Sequence, residues 1–447
     1  MMKYDVIIIG SGMAGMTIAN KCAQKGLKTA VTDSRPYGGT CALRGCDPKK
    51  ILVGAAEIID RANKMNNIGI TGDIAINWQA LMAYKNDFVS KMPPGVEKNY
   101  EKNGVTMYHG AASFESANSI KIGKEIIEGE KIVISTGARP VELDIPGGNL
   151  SINSTEFLDL EYLPEHITFI GGGYIAFEFA HLAARAGSKV TIFHRGNMPL
   201  ENFDQDIVKH LIKATEKLNI NLRLESEVVS IEKLGTDFSV IAHSNNETKT
   251  IQTNLVVNAA GRVPEFDGLQ LEKANISYNK KGIVVNEFLQ SVSNPSVYAA
   301  GDSAASSGLN LTPVAVMEGH AVAANIIRGN SKVPDYSEMP SSVFTLPTLS
   351  SVGLTEKQLN EKEIPYQVKS GSAENWYNAK RINESAYAYK VLLSEDGYIL
   401  GAHLIGPHAE ENINLFALAI KNKLKSSALK TLVYSYPSMA SDVSSMV

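Results

Sequence analysis

The chain has 447 residues, and at roughly 150 residues per domain this predicts about three domains. Lys and Arg number 43 against 47 Asp and Glu, a formal charge of −4, so no nucleic-acid partner and no anionic membrane partner is expected. Apolar residues at 44 % and charged residues at 20 % exclude long disorder, and three cysteines, Cys22, Cys41 and Cys46, exclude a disulfide-stapled secreted scaffold.

The N-terminus leads straight into an apolar stretch at 6–9, too short to span a bilayer and lacking a cleavable leader pattern, so a cytoplasmic protein is expected. Asp5-Val-Ile-Ile-Ile-Gly10-Ser11-Gly12-Met-Ala14-Gly15 predicts a strand, a glycine turn and a helix, with a second strand at 28–32 running into Asp33 and Ser34. A helical segment is predicted between 77 and 103, then a buried strand at 132–135 ending at Thr136 and Gly137. The first pattern recurs in Ile167-Thr-Phe-Ile-Gly171-Gly-Gly173-Tyr174-Ile175-Ala176, followed by a strand at 189–193 that ends at His194 and Arg195. Further strands at 255–258 and 297–300 end near Gly261 and at Gly301-Asp302. After about 334 the texture changes. Residues 343–345, 352–354, 387–393 and 398–405 predict antiparallel strands, and 409–422 an amphipathic helix. The predicted fold class is α/β, with two Rossmann-like nucleotide-binding domains and a C-terminal α+β domain.

A glycine turn at a strand end lets backbone approach a pyrophosphate, and the N–H groups and dipole of the next helix face the anion. In the first turn Gly10, Gly12 and Gly15 supply this geometry, and Asp33 suits a ribose hydroxyl. In the second, Gly171 and Gly173 repeat it, but His194 and Arg195 stand where an acid would select NADH. An arginine there suits a 2′-phosphate and points to NADPH, although Glu201 nearby opposes it.

Cys41 and Cys46 are five positions apart in Gly39-Thr40-Cys41-Ala-Leu-Arg-Gly45-Cys46-Asp-Pro48-Lys49-Lys50. A regular helix would separate them by about 7.5 Å along its axis, beyond the Cα spacing of about 4.4–6.8 Å that a disulfide needs. A disulfide therefore requires a distorted helix, which Gly45 permits. Lys49 and Lys50 favour a thiolate. Two free thiols or a zinc site are the alternatives, and zinc lacks a second ligand pair. Cys22, on the first helix, is expected to be inert core.

Together these residues resemble the pyridine nucleotide-disulfide oxidoreductases, the family of glutathione reductase, dihydrolipoamide dehydrogenase and mercuric reductase. The resemblance covers nearly the whole chain. Gly10–Gly15 looks like the FAD fingerprint, 39–50 like the redox-active disulfide box, and 171–178 like the NAD(P)H fingerprint. Ile134-Ser-Thr136-Gly137, Gly261-Arg-Val-Pro264 and Tyr298-Ala-Ala-Gly301-Asp302 look like the later flavin-domain boxes. The resemblance implies an FAD-binding domain at 1–145 and 263–334, an NAD(P)H-binding domain at 146–262, and an interface domain at 335–447 of a homodimer. It implies Asp302 on the ribityl chain, Lys49 or Lys50 paired with Glu178 beside the flavin, and Tyr174 as a cover over the flavin. It makes Cys46 the charge-transfer thiolate and Cys41 the thiol that attacks substrate.

Two departures bear on substrate. The family's His-Pro-Thr box reads Tyr436-Pro437-Ser438 here, and Ser441 stands where a glutamate orients the histidine, with Asp442 one residue out of register. A phenol, with a pKa of about 10, is a poor base near neutrality but still donates a hydrogen bond. The arginine that glutathione reductases place on the first helix is replaced in Asn20-Lys21. The expected activity is NADPH-dependent reduction of a small disulfide or related oxidised thiol. The alternatives are an NAD-dependent dihydrolipoamide dehydrogenase, a mercuric reductase-like metal reductase, against which the absence of a metal-binding N-terminal domain counts, and a low-turnover flavin redox sensor.

Overall fold

A computed structural model describes residues 2–244 and 247–447. The chain divides into two compact units, Met1–Lys49 with Ala83–Val141 and Arg262–Tyr336, and Lys50–Met82 with Glu142–Gly261 and Ser337–Val447.

The first unit is built on a parallel sheet ordered Thr106–His109, Thr29–Asp33, Met2–Ile9, Glu125–Ile134. Val297–Ala299 joins in parallel beside the far end of Glu125–Ile134, whose near end pairs with an antiparallel extension. The apolar run at 6–9 is continuous because both faces are covered. Val6 and Ile8 pack with Ile18 and Cys22 of helix Met13–Gln24, while Ile7 and Ile9 pack with Phe114 and Ile120 on the other face. Helix Thr312–Arg328 crosses Met13–Gln24 closely, and a Cβ on Gly319 would lie 2.9 Å from the Ala14 carbonyl.

The second unit holds a four-stranded parallel sheet ordered Asn221–Arg223, Lys189–Phe193, His166–Ile170, Leu255–Asn258. A three-stranded antiparallel sheet follows its third strand, Glu227–Leu234, Asp237–Ser244 and Glu247–Thr253. The C-terminal part is a five-stranded antiparallel sheet ordered Ser341–Val343, Thr348–Gly353, Ile399–Gly406, Ala388–Leu393, Gln367–Ser372. Val352, Val391 and Leu404 pack under Ile413 and Phe416 of helix Ala409–Lys421. The opposite face, with Leu349, Ala388 and Ile405, packs in one core with Val208 and Leu211 of helix Gln205–Lys217. The fold is thus the expected α/β class with two Rossmann-like regions and a C-terminal α+β region. Among the described residues no helix is long and apolar enough to cross a membrane.

Several elements differ from the sequence reading. The helical segment at 77–103 is two helices, Trp78–Ser90 and Met92–Lys102, the second opening on prolines in its first turn, where a missing N–H costs nothing. The strand expected at 343–345 ends at Val343, because the Glu178 carboxylate accepts the Phe344 N–H at 2.8 Å and takes that backbone out of the sheet. The strand expected at 352–354 begins earlier and spans Thr348–Gly353. Edge strand Gln367–Ser372 and the three-stranded sheet carry little apolar alternation and were not expected.

Candidate active site

In the first turn the glycines are required sterically. Gly10 has φ +102°, and a Cβ there would sit 2.3 Å from the Ser135 carbonyl oxygen; one on Gly15 would sit 2.0 Å from the Gly10 oxygen. Gly12 caps helix Met13–Gln24 with no side-chain acceptor, so its first N–H groups keep donors for an external anion. Ala14, the second residue of that helix, is buried. Asp33 Oδ2 accepts from the Ser11 N–H at 2.8 Å and the Ser11 hydroxyl at 2.7 Å, which locks the turn to the second strand, while Ser34 is exposed beside it. Thr136 Oγ1 is buried with no hydrogen-bond partner among the described residues, and Gly137 follows in left-handed conformation at φ +75°. Asp302 is half-buried after Gly301 at φ +70°, its carboxyl pushed up by burial against the opposing charge of Arg262. Uncapped helix donors, an orphaned hydroxyl and a desolvated carboxyl fit a phosphate-bearing, hydroxyl-rich group such as FAD.

The cysteine segment packs directly on this turn. Gly39 has φ +70°, and a Cβ on it would lie 2.4 Å from Gly12 Cα. Helix Gly39–Arg44, which carries half-buried Thr40 and Cys41, breaks at Gly45, and helix Cys46–Met65 begins. A Cβ on Gly45 would meet the Thr40 carbonyl at 2.9 Å, so the expected distortion lies between the two cysteines.

Both cysteines are free thiols. The neighbouring Cys41 first, then the Thr312 hydroxyl 3.5 Å from Cys46 Sγ and the Lys49 charge, push Cys46 down to about 6 against the effect of burial. Cys41 is pushed far up, by the neighbouring Cys46 first and then by burial. Its thiol donates to Asp47 Oδ1 at 3.9 Å. Cys46 is therefore the more acidic of the two thiols. Cys22 is buried and pushed up to about 12 by desolvation, an unreactive core thiol as expected.

Thr312 escaped the sequence reading. It opens helix Thr312–Arg328, whose first turn also holds Pro313, so the positive end of that helix dipole adjoins Cys46. The Leu311-Thr312-Pro313 run ahead of an apolar helix is a helix-start signal that could have flagged it.

The two lysines diverge. Lys49 is buried in the first unit. Lys50 pairs with Glu57 at 2.5 Å and lies 4.9 Å over the Phe344 ring, so it is committed away from Glu178. Glu178, nearly fully buried, accepts from the Phe344 N–H.

The second turn repeats the first. Gly171 has φ +124°, and a Cβ on it would be 2.2 Å from the Ala259 carbonyl oxygen. Gly173 caps helix Tyr174–Arg185 without a side-chain acceptor and has open space at its Cβ position. Tyr174 is 47 % exposed, Ile175 half-buried and Ala176 buried. The His194 ring packs on Gly172, its Nε2 lies 2.9 Å from the Met198 carbonyl oxygen, and Glu201 approaches to 3.8 Å. Arg195 is exposed, and Gly261 has φ +139° after the fourth strand. Tyr436 is 74 % exposed, and Asp442 is taken by Asn378 and Tyr387 at 2.9 and 3.0 Å.

The sequence profile described as pyridine nucleotide-disulphide oxidoreductase matches residues 4–319, and that of the family's dimerisation domain matches 339–447. The chain belongs to the pyridine nucleotide-disulphide oxidoreductase family. It is similar to glutathione reductase of Burkholderia cepacia, 32 % identical with 99 % of this chain and 98 % of the relative covered. It is also similar to dihydrolipoyl dehydrogenase of Bacillus subtilis, 30 % identical over 97 % and 95 % of the two chains. Among solved structures it resembles the HOCl-induced flavoprotein disulfide reductase RclA from Escherichia coli, with a TM-score of 0.88, 29 % identity and 99 % of each chain covered. This family member is an NAD(P)H-dependent flavoprotein disulfide oxidoreductase with a C-terminal dimerisation domain. Its cofactors are FAD and NADPH, as in the glutathione reductases.

Proposed function

We propose that this chain reduces a small disulfide or related oxidised thiol through Cys41 and Cys46, as a cytoplasmic homodimer. The observation that carries the reading is a pair of thiols of unequal acidity on either side of the Gly45 break: Cys46 with the Thr312 hydroxyl 3.5 Å from its Sγ, and Cys41 with its thiol donating to Asp47. Three cysteines in the whole chain leave room for one reactive pair in a reducing compartment. We assign 1–145 and 263–334 to FAD binding, 146–262 to NAD(P)H binding and 335–447 to the interface.

Bound FAD supplies a two-electron relay between pyridine nucleotide and sulfur. Gly10, Ser11, Gly12, Ala14 and Gly15 form its phosphate turn, and Asp33 and Ser34 serve the adenosine ribose. Gly39, Thr40, Thr136, Gly137, Gly261, Gly301 and Asp302 line the remainder. Gly171, Gly173, Tyr174 and Ile175 receive the nicotinamide nucleotide. Arg195, with His194, replaces the acid that would accept an NADH ribose and favours NADPH over the dihydrolipoamide dehydrogenase reading.

Exchange follows from the proton positions. The Cys41 thiol gives its proton to solvent, and its thiolate attacks one substrate sulfur, forming a mixed disulfide and releasing one thiolate, which solvent protonates. The Cys46 thiolate then attacks Cys41 Sγ, closing the Cys41–Cys46 disulfide and releasing the second thiolate, to which Tyr436 donates a hydrogen bond before solvent protonates it. A Cys41→Ser variant tests this. It should still oxidise NADPH stoichiometrically but lose disulfide turnover by about 10²-fold or more; unchanged turnover would refute the role of Cys41.

A further inference from the structure

The resemblance places a carboxylate behind the acid–base residue of the C-terminal box, and this chain has none in position. Ser441 occupies the site, and Asp442 accepts from Asn378 Nδ2 and the Tyr387 hydroxyl instead. The side chain against Tyr436 is Tyr377, with ring centroids 6.4 Å apart and planes at 29°. Both rings are largely open, Tyr377 at 58 % and Tyr436 at 74 % exposure, so neither is packed as core.

The support beneath Tyr377 is rigid. It opens the short helix Tyr377–Lys380, and the preceding Trp376 packs on the rings of Tyr387 and Tyr389 at 6.1 and 5.7 Å. The next residue, Asn378, is buried. Its Nδ2 donates to the Ser438 carbonyl oxygen at 2.9 Å, and its Oδ1 accepts from Arg381 Nε at 3.1 Å. One short helix therefore fixes the backbone two residues past Tyr436 and presents a ring to its side chain.

We propose that Tyr377 is the positioning residue for Tyr436, a stacked ring doing by contact what a carboxylate does by charge. The inference rests on the reading that Tyr436 serves thiol–disulfide exchange. Stacking orients the phenol without changing its protonation, so it suits a residue that only donates a hydrogen bond.

The test uses the FAD-loaded full chain with 3-fluorotyrosine at position 436, NADPH as reductant and hydroxyethyl disulfide as probe. Tyr377→Ala should move the fluorine resonance toward that of free fluorotyrosine. It should also lower kcat on the probe about two- to tenfold, the worth of one aromatic pair, with the rate of NADPH oxidation in the first half-reaction unchanged. Tyr377→Phe keeps the ring and should restore both readouts. An unmoved resonance in Tyr377→Ala, or failure of Tyr377→Phe to rescue, overturns the positioning role. If the resonance moves as expected while Tyr436→Phe turns over like the parent, the positioning stands and the exchange role given to Tyr436 falls.

Discussion

Thr312 Oγ1 stands 3.5 Å from Cys46 Sγ, joining the first residue of helix Thr312–Arg328 to the first residue of helix Cys46–Met65. Two helix N-termini thus bear on one sulfur, and each favours the thiolate. Cys41 does not share that advantage, and its thiol donates to Asp47 Oδ1 at 3.9 Å.

The consequence is a pH-dependent thiolate. Cys46 falls from an ordinary 9.0 to about 6, so its thiolate is complete above neutrality and is lost as the pH drops through 6. Ultraviolet thiolate absorbance of the reduced protein should show one deprotonation near that pH. Thr312→Val should raise the midpoint by about one unit, since a hydrogen bond to a charged group is worth about 1.5–3 kcal/mol and one unit is about 1.4. No shift would remove Thr312 from the site.

In the second unit, Lys390 is buried and bonded to Asp204 at 3.1 Å, to Asp206 at 2.7 Å and to Glu356. Burial opposes its charge, but the bonds to Asp206 and Glu356 and the charge of Asp204 outweigh it and hold the pKa up. Asp204 also caps helix Gln205–Lys217, so the lysine ties that helix to the five-stranded sheet. Lys390→Met leaves a buried carboxylate unpaired and should cost about 3–5 kcal/mol in unfolding free energy. Asp206 is lowered from 3.8 to about 2, first by its bond to Lys390. Its contribution is therefore fully present above 3.8 and lost as the pH falls through 2. The Tm of the parent should fall more steeply than that of Lys390→Met across that window; equal slopes would dismiss the linkage.

Nucleotide preference tests the second turn. Arg195→Glu should raise the KM for NADPH about tenfold or more and leave that for NADH little changed, because a carboxylate repels a 2′-phosphate and accepts from a free ribose hydroxyl. Equal effects on both nucleotides would show that Arg195 does not meet the phosphate.

Both glycine turns and the cysteine box were legible in sequence because steric demand leaves only glycine at Gly10, Gly15, Gly39 and Gly171. The parallel strands were legible because burial on both faces makes them continuously apolar. Less was visible where pairing partners decide the structure. Lys49 and Lys50 are equivalent in sequence, and only the fold commits Lys50 to Glu57. Thr312 lies 266 residues from Cys46, a separation no local pattern reports. Tyr377 likewise has no motif of its own and gains meaning only from the ring it faces. Edge strand Gln367–Ser372 is nearly all exposed, so nothing in its polarity marks it as a strand.

The most direct measurement is an anaerobic titration of the purified FAD-loaded protein with NADPH, followed by its visible spectrum. Uptake of about two equivalents per subunit, with a long-wavelength thiolate–flavin band that Cys46→Ser abolishes, is the result predicted here. Flavin that stays oxidised in excess NADPH, or a protein that cannot retain FAD at all, would contradict electron transfer from pyridine nucleotide to the cysteine pair.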